Sequence, residues 1–138
     1  MTESEGKTAR YVAVVGPGEA RPEEVAAARE VGRLLAEAGA VVLTGGLGGV
    51  MAAATEGASA AGGLTVALLP GTDRSVSSAT VAIPTGLGEM RNALLVRAAD
   101  AVIAVGGSWG TLSEIALAQR TGVPLVCLGV RRRIRGCS

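Results

Sequence analysis

Short apolar runs recur along the chain, and each stops at glycine or proline. Tyr11–Val15 (YVAVV) meets Gly16-Pro17-Gly18, Val41–Thr44 meets Gly45-Gly46-Leu47-Gly48-Gly49, and Leu64–Leu69 meets Pro70-Gly71. Thr80–Ile83 is broken by Pro84-Thr85-Gly86, Ala101–Val105 runs into Gly106-Gly107-Ser108-Trp109-Gly110, and Pro124–Leu128 is the last. Brief runs that are apolar throughout, instead of alternating, are what a strand buried on both faces needs. Helical stretches separate them. Pro22 suits a helix start, Glu23 and Glu24 suit its positive end, and Val25, Ala28, Val31, Leu34 and Leu35 recur at helical spacing up to Gly39. Further helices are predicted from about Val50 to Ala61, from about Gly88 to Ala98 and over Thr111–Arg120, with a polar loop at Thr72–Ser78. Strands alternating with helices give a parallel sheet covered on both sides. The expected fold is therefore α/β, a doubly wound Rossmann-like sheet in a single domain over 10–129. Residues 1–9 are expected to form a flexible N-terminus and 130–138 a disordered basic tail.

Ligands of such sheets bind at the carboxyl ends of the strands. Those ends carry much of the chain's glycine, 21 residues in all. Glycine permits close approach of backbone to a ligand, and helix N-termini attract phosphate. Tight strand-to-helix turns also need glycine, but several such loops at one sheet edge favour a phosphate or nucleotide ligand. Gly16, Gly18, Gly45, Gly46, Gly107, Ser108, Gly110 and Thr111 are the candidate phosphate-binding residues. The dinucleotide fingerprint fails, because Gly16-Pro17-Gly18 continues Glu19-Ala20-Arg21 and the second strand ends at Thr44-Gly45 without a ribose-binding acid.

Composition removes other chemistries. The chain has no histidine, which excludes imidazole zinc sites and Ser-His-Asp or Cys-His nucleophiles. Its one lysine, Lys7, stands in the polar N-terminus, far from any core Schiff base or Walker A loop. Cys127 and Cys137 are too few for a disulfide scaffold or a metal cluster. Tyr11 and Trp109, the only aromatics, offer no stacking platform for single-stranded nucleic acid. Net charge is +1, with Arg131, Arg132, Arg133 and Arg135 supplying four of the 13 basic residues. No cofactor, metal, nucleic acid or membrane partner is expected. No signal peptide opens the chain and no run is long enough for a membrane helix, so the default is a soluble cytoplasmic domain.

Two residues stand out for chemistry. Thr111-Leu112-Ser113-Glu114 fits a capping box, which by itself would account for both the threonine and the glutamate. Glu114 also falls one turn into a helix that starts at the ligand edge, where a carboxylate could stabilise a developing cation or orient water. Arg91 opens the preceding helix near the same edge and is either solvated surface or an anion clamp. Arg97 reads as structural, paired with Asp100.

Gly107-Ser108-Trp109-Gly110-Thr111-Leu112-Ser113-Glu114 resembles the PGGxGTxxE signature of the LOG-like family, the cytokinin-activating phosphoribohydrolases once labelled possible lysine decarboxylases. Arg91-Asn92 stands where that family has Arg-Lys. The similarity runs from Tyr11 to Leu128 and includes Thr44-Gly45-Gly46 and Gly49-Val50-Met51. The nearest likeness is to the short bacterial subgroup of this SLOG superfamily described as Rossmann nucleotide-binding or molybdenum-cofactor-carrier-like. The resemblance implies a homodimer that binds a nucleoside 5′-monophosphate and hydrolyses its N-glycosidic bond to free base and ribose 5-phosphate. Arg91 and Glu114 would be the catalytic pair, with Gly107, Gly110 and Thr111 on the phosphate. Such chemistry needs an anion near the anomeric carbon and a positioned water, both within reach of one carboxylate. Lysine decarboxylation is excluded, since a pyridoxal phosphate enzyme needs a core lysine.

This chain departs from the signature in three places. Gly106 replaces the proline, Ser108 the second glycine, and Asn92 the lysine, which removes a charge beside the site. It also ends Arg-Arg-Arg-Ile-Arg-Gly-Cys-Ser where relatives continue into a closing helix, so the dimer is expected to be weaker or differently built. Besides the phosphoribohydrolase, two readings stay open. One is a non-catalytic carrier of a phosphorylated pterin such as molybdenum cofactor, which Asn92 and Ser108 favour. The other is a nucleotide-sensing module in which Glu114 is only a cap.

Overall fold

The computed structural model describes residues 9–107 and 109–129. The expectations for the N-terminus, Ser108 and the basic tail lie outside the described residues. Six strands form one sheet: β1 Tyr11–Val15, β2 Val41–Thr44, β3 Thr65–Leu69, β4 Val81–Pro84, β5 Ala101–Val105 and β6 Leu125–Leu128. Every pairing is parallel and the order across the sheet is β4-β3-β2-β1-β5-β6. The chain thus winds outward from β1 to β4, then returns to the other side of β1 to lay down β5 and β6. The direction reverses between β1 and β5, and such a switch point is where an open sheet forms its crevice.

Helices α1 (Pro22–Glu37) and α2 (Val50–Ala60) cover one face, and α3 (Arg91–Ala98) and α4 (Trp109–Thr121) the other. Side-chain alternation along the strands divides the core accordingly. Val14, Val42 and Val105 pack with Ala28, Val50, Ala54 and Ala58, while Ala13, Val15, Leu43 and Val102 pack with Leu95, Val96, Ile115 and Ala118. The doubly wound α/β fold expected from the apolar runs is therefore present. The two innermost strands bury nearly all their residues, but the edge strands β4 and β6 are equally apolar and leave Val81, Ile83 and Val126 exposed.

Glycine sets how closely α1 and α2 approach. A Cβ on Gly32 would overlap the Ala54 carbonyl, and one on Gly57 would overlap the Arg29 carbonyl. The small face of α2 (Ala53, Ala54, Gly57 and Ala58) is turned inward against α1 and the sheet. Two short 3₁₀ turns, Arg74–Val76 and Gly88–Met90, stand where the sequence suggested a loop and the first turn of a helix. The expected Arg97–Asp100 pair does not form: Asp100 Oδ2 accepts the Tyr11 N–H at 2.8 Å, which ties the start of β5 to that of β1.

Candidate functional site at the carboxyl edge of the sheet

The turn after β2 prepares a place for Arg91. The buried Thr44 hydroxyl accepts the Gly46 N–H at 3.1 Å, and Gly46 adopts φ +78°. Gly45 follows the strand and leaves room for both neighbours, since a Cβ there would come within 2.9 Å of Arg91 Nη2 and 3.1 Å of Met51 Sδ and would displace the guanidinium. The loop after β4 is laid along the end of β3: Thr85 N–H and its hydroxyl both donate to the Leu69 carbonyl, at 3.1 and 2.7 Å. This brings the first residue of α3 over the sheet edge. Arg91 is only 6% exposed, and its guanidinium is spread across backbone carbonyls. Nε donates to Leu68 O at 3.1 Å, Nη2 to Gly45 O at 3.4 Å and Nη1 to Asn92 Oδ1. Three of its five N–H donors are thereby used, and two remain for a ligand.

Glu114 faces this cation from α4 and is 9% exposed. Burial pushes its carboxyl up to about 7, against the pull of the Arg91 charge in the other direction. Arg91 is itself lowered by burial, while the charges of Glu114 and Glu89 raise it. Among the described residues no direct ion pair joins Arg91 to Glu114, and no hydrogen bond reaches the Glu114 carboxylate. The two charges act on each other across a gap. Burying either charge costs free energy, so an acid desolvated beside a cation with donors to spare is the kind of arrangement that marks a candidate site.

The capping-box reading of Glu114 does not hold. Helix α4 begins at Trp109, two residues earlier than expected, so Thr111 lies inside its first turn and Glu114 in its second. Thr111 is fully buried beneath the site. The remaining candidates divide by geometry. Gly16 is spent on packing, for a Cβ there would overlap the Val105 carbonyl and lie 2.7 Å from Val50 Cγ1. Gly46 is packed against Leu69. Gly18 and Gly107 are exposed at the edge, Gly110 lies in the first turn of α4, and Ser108 is outside the described residues.

Two site residues escaped sequence reasoning. Met51, at the start of α2, reaches from beside Gly45 and Arg91 toward Gly18, with its methyl 4.0 Å from where a Gly18 Cβ would stand. Its sequence signal was only a place inside Gly49-Val50-Met51. Glu24, taken for a helix-dipole residue, is buried and lies against Gly106.

The fold and this edge define a Rossmann-like domain with a charged pair buried at its ligand edge. The chain belongs to the SLOG cluster4 family, whose model matches residues 9–136. It is similar to the molybdenum cofactor binding protein of the phototrophic bacterium Rippkaea orientalis, at 43% identity and TM-score 0.85 over 87% of this chain and 76% of that one. The molybdenum cofactor carrier protein of Chlamydomonas reinhardtii matches at 35% identity and TM-score 0.82, over 90% of this chain and 78% of that one. An uncharacterized protein of Archaeoglobus fulgidus is 46% identical over 112 residues, 80% of this chain and 74% of its own.

Proposed function

We propose that this protein binds a phosphorylated pterin and acts as a carrier of molybdenum cofactor. The observation that carries this reading is the 43% identity with the Rippkaea orientalis cofactor-binding protein, which spans 87% of the chain. The chemistry of the edge agrees with it. A pterin phosphate needs a cation with directed donors, backbone N–H groups for its phosphate, and hydrogen-bonding groups for a nitrogen-rich ring. Arg91 supplies the cation. Gly18, Gly45, Gly107 and Gly110 would border the phosphate, with Ser108 a further candidate by sequence, while Gly16, Gly46 and the buried Thr111 shape the loops beneath it. Glu114, which titrates near 7, offers the ring a group that can donate or accept a hydrogen bond. Asn92 in place of a lysine keeps one charge away from the site and itself accepts from Arg91.

Hydrolysis of nucleoside 5′-monophosphates is the second reading, favoured by the juxtaposition of Arg91 with a raised, unpartnered carboxyl. In that case ionised Glu114 stabilises positive charge at the anomeric carbon and orients the attacking water. Self-association into a dimer belongs to either reading. Met90 is 73% exposed, and Leu94 on α3 and Val81 and Ile83 on β4 are exposed as well.

Calorimetric titration with a phosphorylated pterin and with AMP tests the carrier reading. The expected result is pterin affinity at least about tenfold above that for AMP, about 1.4 kcal/mol, lost in Arg91→Ala. Equal or tighter binding of AMP overturns it.

A further inference from the structure

The loop into α4 is held from the other side of the switch point. Gly106, the first residue after β5, adopts φ +70°, and its N–H donates to the Leu128 carbonyl at 2.8 Å. A Cβ on Gly106 would overlap Glu24 Oε2 and lie 2.7 Å from Glu24 Cδ. Glu24 is 7% exposed and is itself anchored: Oε1 accepts the Arg21 N–H at 2.9 Å and Oε2 the Arg21 guanidinium at 3.3 Å. Proline, which occupies this position in the resembled signature, has φ fixed near −65° and could not take this conformation. The carboxylate fills the space a side chain would occupy.

We propose that Glu24 is a positioning residue: wedged against Gly106, it sets the path of the chain as it leaves β5 at Gly106-Gly107 and thereby the placement of α4 and Glu114. The residues that follow β1 and those that follow β5 are thus coupled through one buried side chain. The inference rests on the binding-site reading only for its ligand consequence.

Trp109, the chain's one tryptophan, opens α4 and reports on the loop without any ligand. Acrylamide quenching of its fluorescence is measured for wild type, Glu24→Ala, Glu24→Gln, Gly106→Ala and the double variant Glu24→Ala/Gly106→Ala, each shown folded by circular dichroism. Gly122→Ala serves as control, since Gly122 has φ +75° with open space around it and isolates the conformational cost. The expected result is at least a twofold change in the quenching constant for Glu24→Ala and Gly106→Ala. Glu24→Gln, which keeps the volume and one acceptor, returns toward wild type, and the double variant changes less than the two single changes together. Additive effects, or Glu24→Ala lowering thermal stability with unchanged quenching, overturn the proposal. Affinity for AMP or a phosphorylated pterin, whichever binds, should fall in parallel with the quenching change. If neither binds while quenching behaves as expected, the binding-site reading fails and the positioning role stands.

Discussion

Glu114 titrates near 7 in the fold and near 4.5 when unfolded. Between those values the native state keeps a proton that the unfolded chain has released. Stability therefore falls as pH rises from about 4.5 through 7 and levels off above, by about 3 kcal/mol at most. Glu114→Gln removes the titration, so the fall in urea-unfolding free energy between pH 5 and 8 should largely vanish in that variant. An unaltered pH dependence would show that Glu114 is solvated. The same titration separates the two functions. A carrier that takes an anion beside Arg91 binds more tightly as pH drops through 7 and Glu114 loses its charge. A hydrolase that needs the carboxylate speeds up as pH rises through the same value. Affinity and base release measured at pH 6 and 8 should follow the first pattern. The sequence placed Arg91 and Glu114 near the carboxyl edge of the sheet through their positions after apolar runs, and the structure has both of them there. It did not show that α4 starts at Trp109, because Ser108 and Thr111 are both residues favoured before a helix and only Thr111 has the glutamate of a capping box three residues on. The threonine of T-x-x-E consequently looked like a cap.

At the scale of elements, the strands were legible because every one is a short apolar run closed by glycine or proline. Which of them are edges was not, since Val81-Ala82-Ile83 reads no differently from Val41-Val42-Leu43. That distinction comes from strand order, which local pattern does not encode. The close contact of α1 with α2 was likewise invisible, although its agents, Gly32 and Gly57, stand in plain view inside helices. Alanine at Gly57 would gain helix propensity of about 1 kcal/mol. Its Cβ would however overlap the Arg29 carbonyl, and that carbonyl is backbone which cannot swing aside. Overpacking of this kind costs about 1–3 kcal/mol and often exceeds the propensity gain. Thermal unfolding of Gly57→Ala should show a lower Tm than wild type. A raised Tm would mean that the two helices have room to separate.

As a whole molecule, the protein directs its glycine loops, Arg91 and Glu114 to one edge of the sheet and leaves apolar side chains exposed elsewhere. Met90 in the 3₁₀ turn, Leu94 on α3, and Val81 and Ile83 of the edge strand β4 are all exposed. A second copy is the occupant expected from the family resemblance. Sedimentation at micromolar concentration should give a dimer that Met90→Glu converts to monomer, and a monomeric wild type would remove self-association from the account. The small residues of α2 are consumed by α1 inside the fold. Among the described residues no helix is long and apolar enough to cross a membrane. The central claim is that this edge holds a phosphorylated pterin as cargo. The most direct test mixes the protein with molybdenum cofactor released from a molybdoenzyme and, in parallel, with AMP. Molybdenum co-eluting with the protein on gel filtration, about one per chain and lost in Arg91→Ala, with AMP recovered intact, is the predicted result. Free adenine released from AMP by wild type but not by Glu114→Gln, with no molybdenum retained, would contradict it.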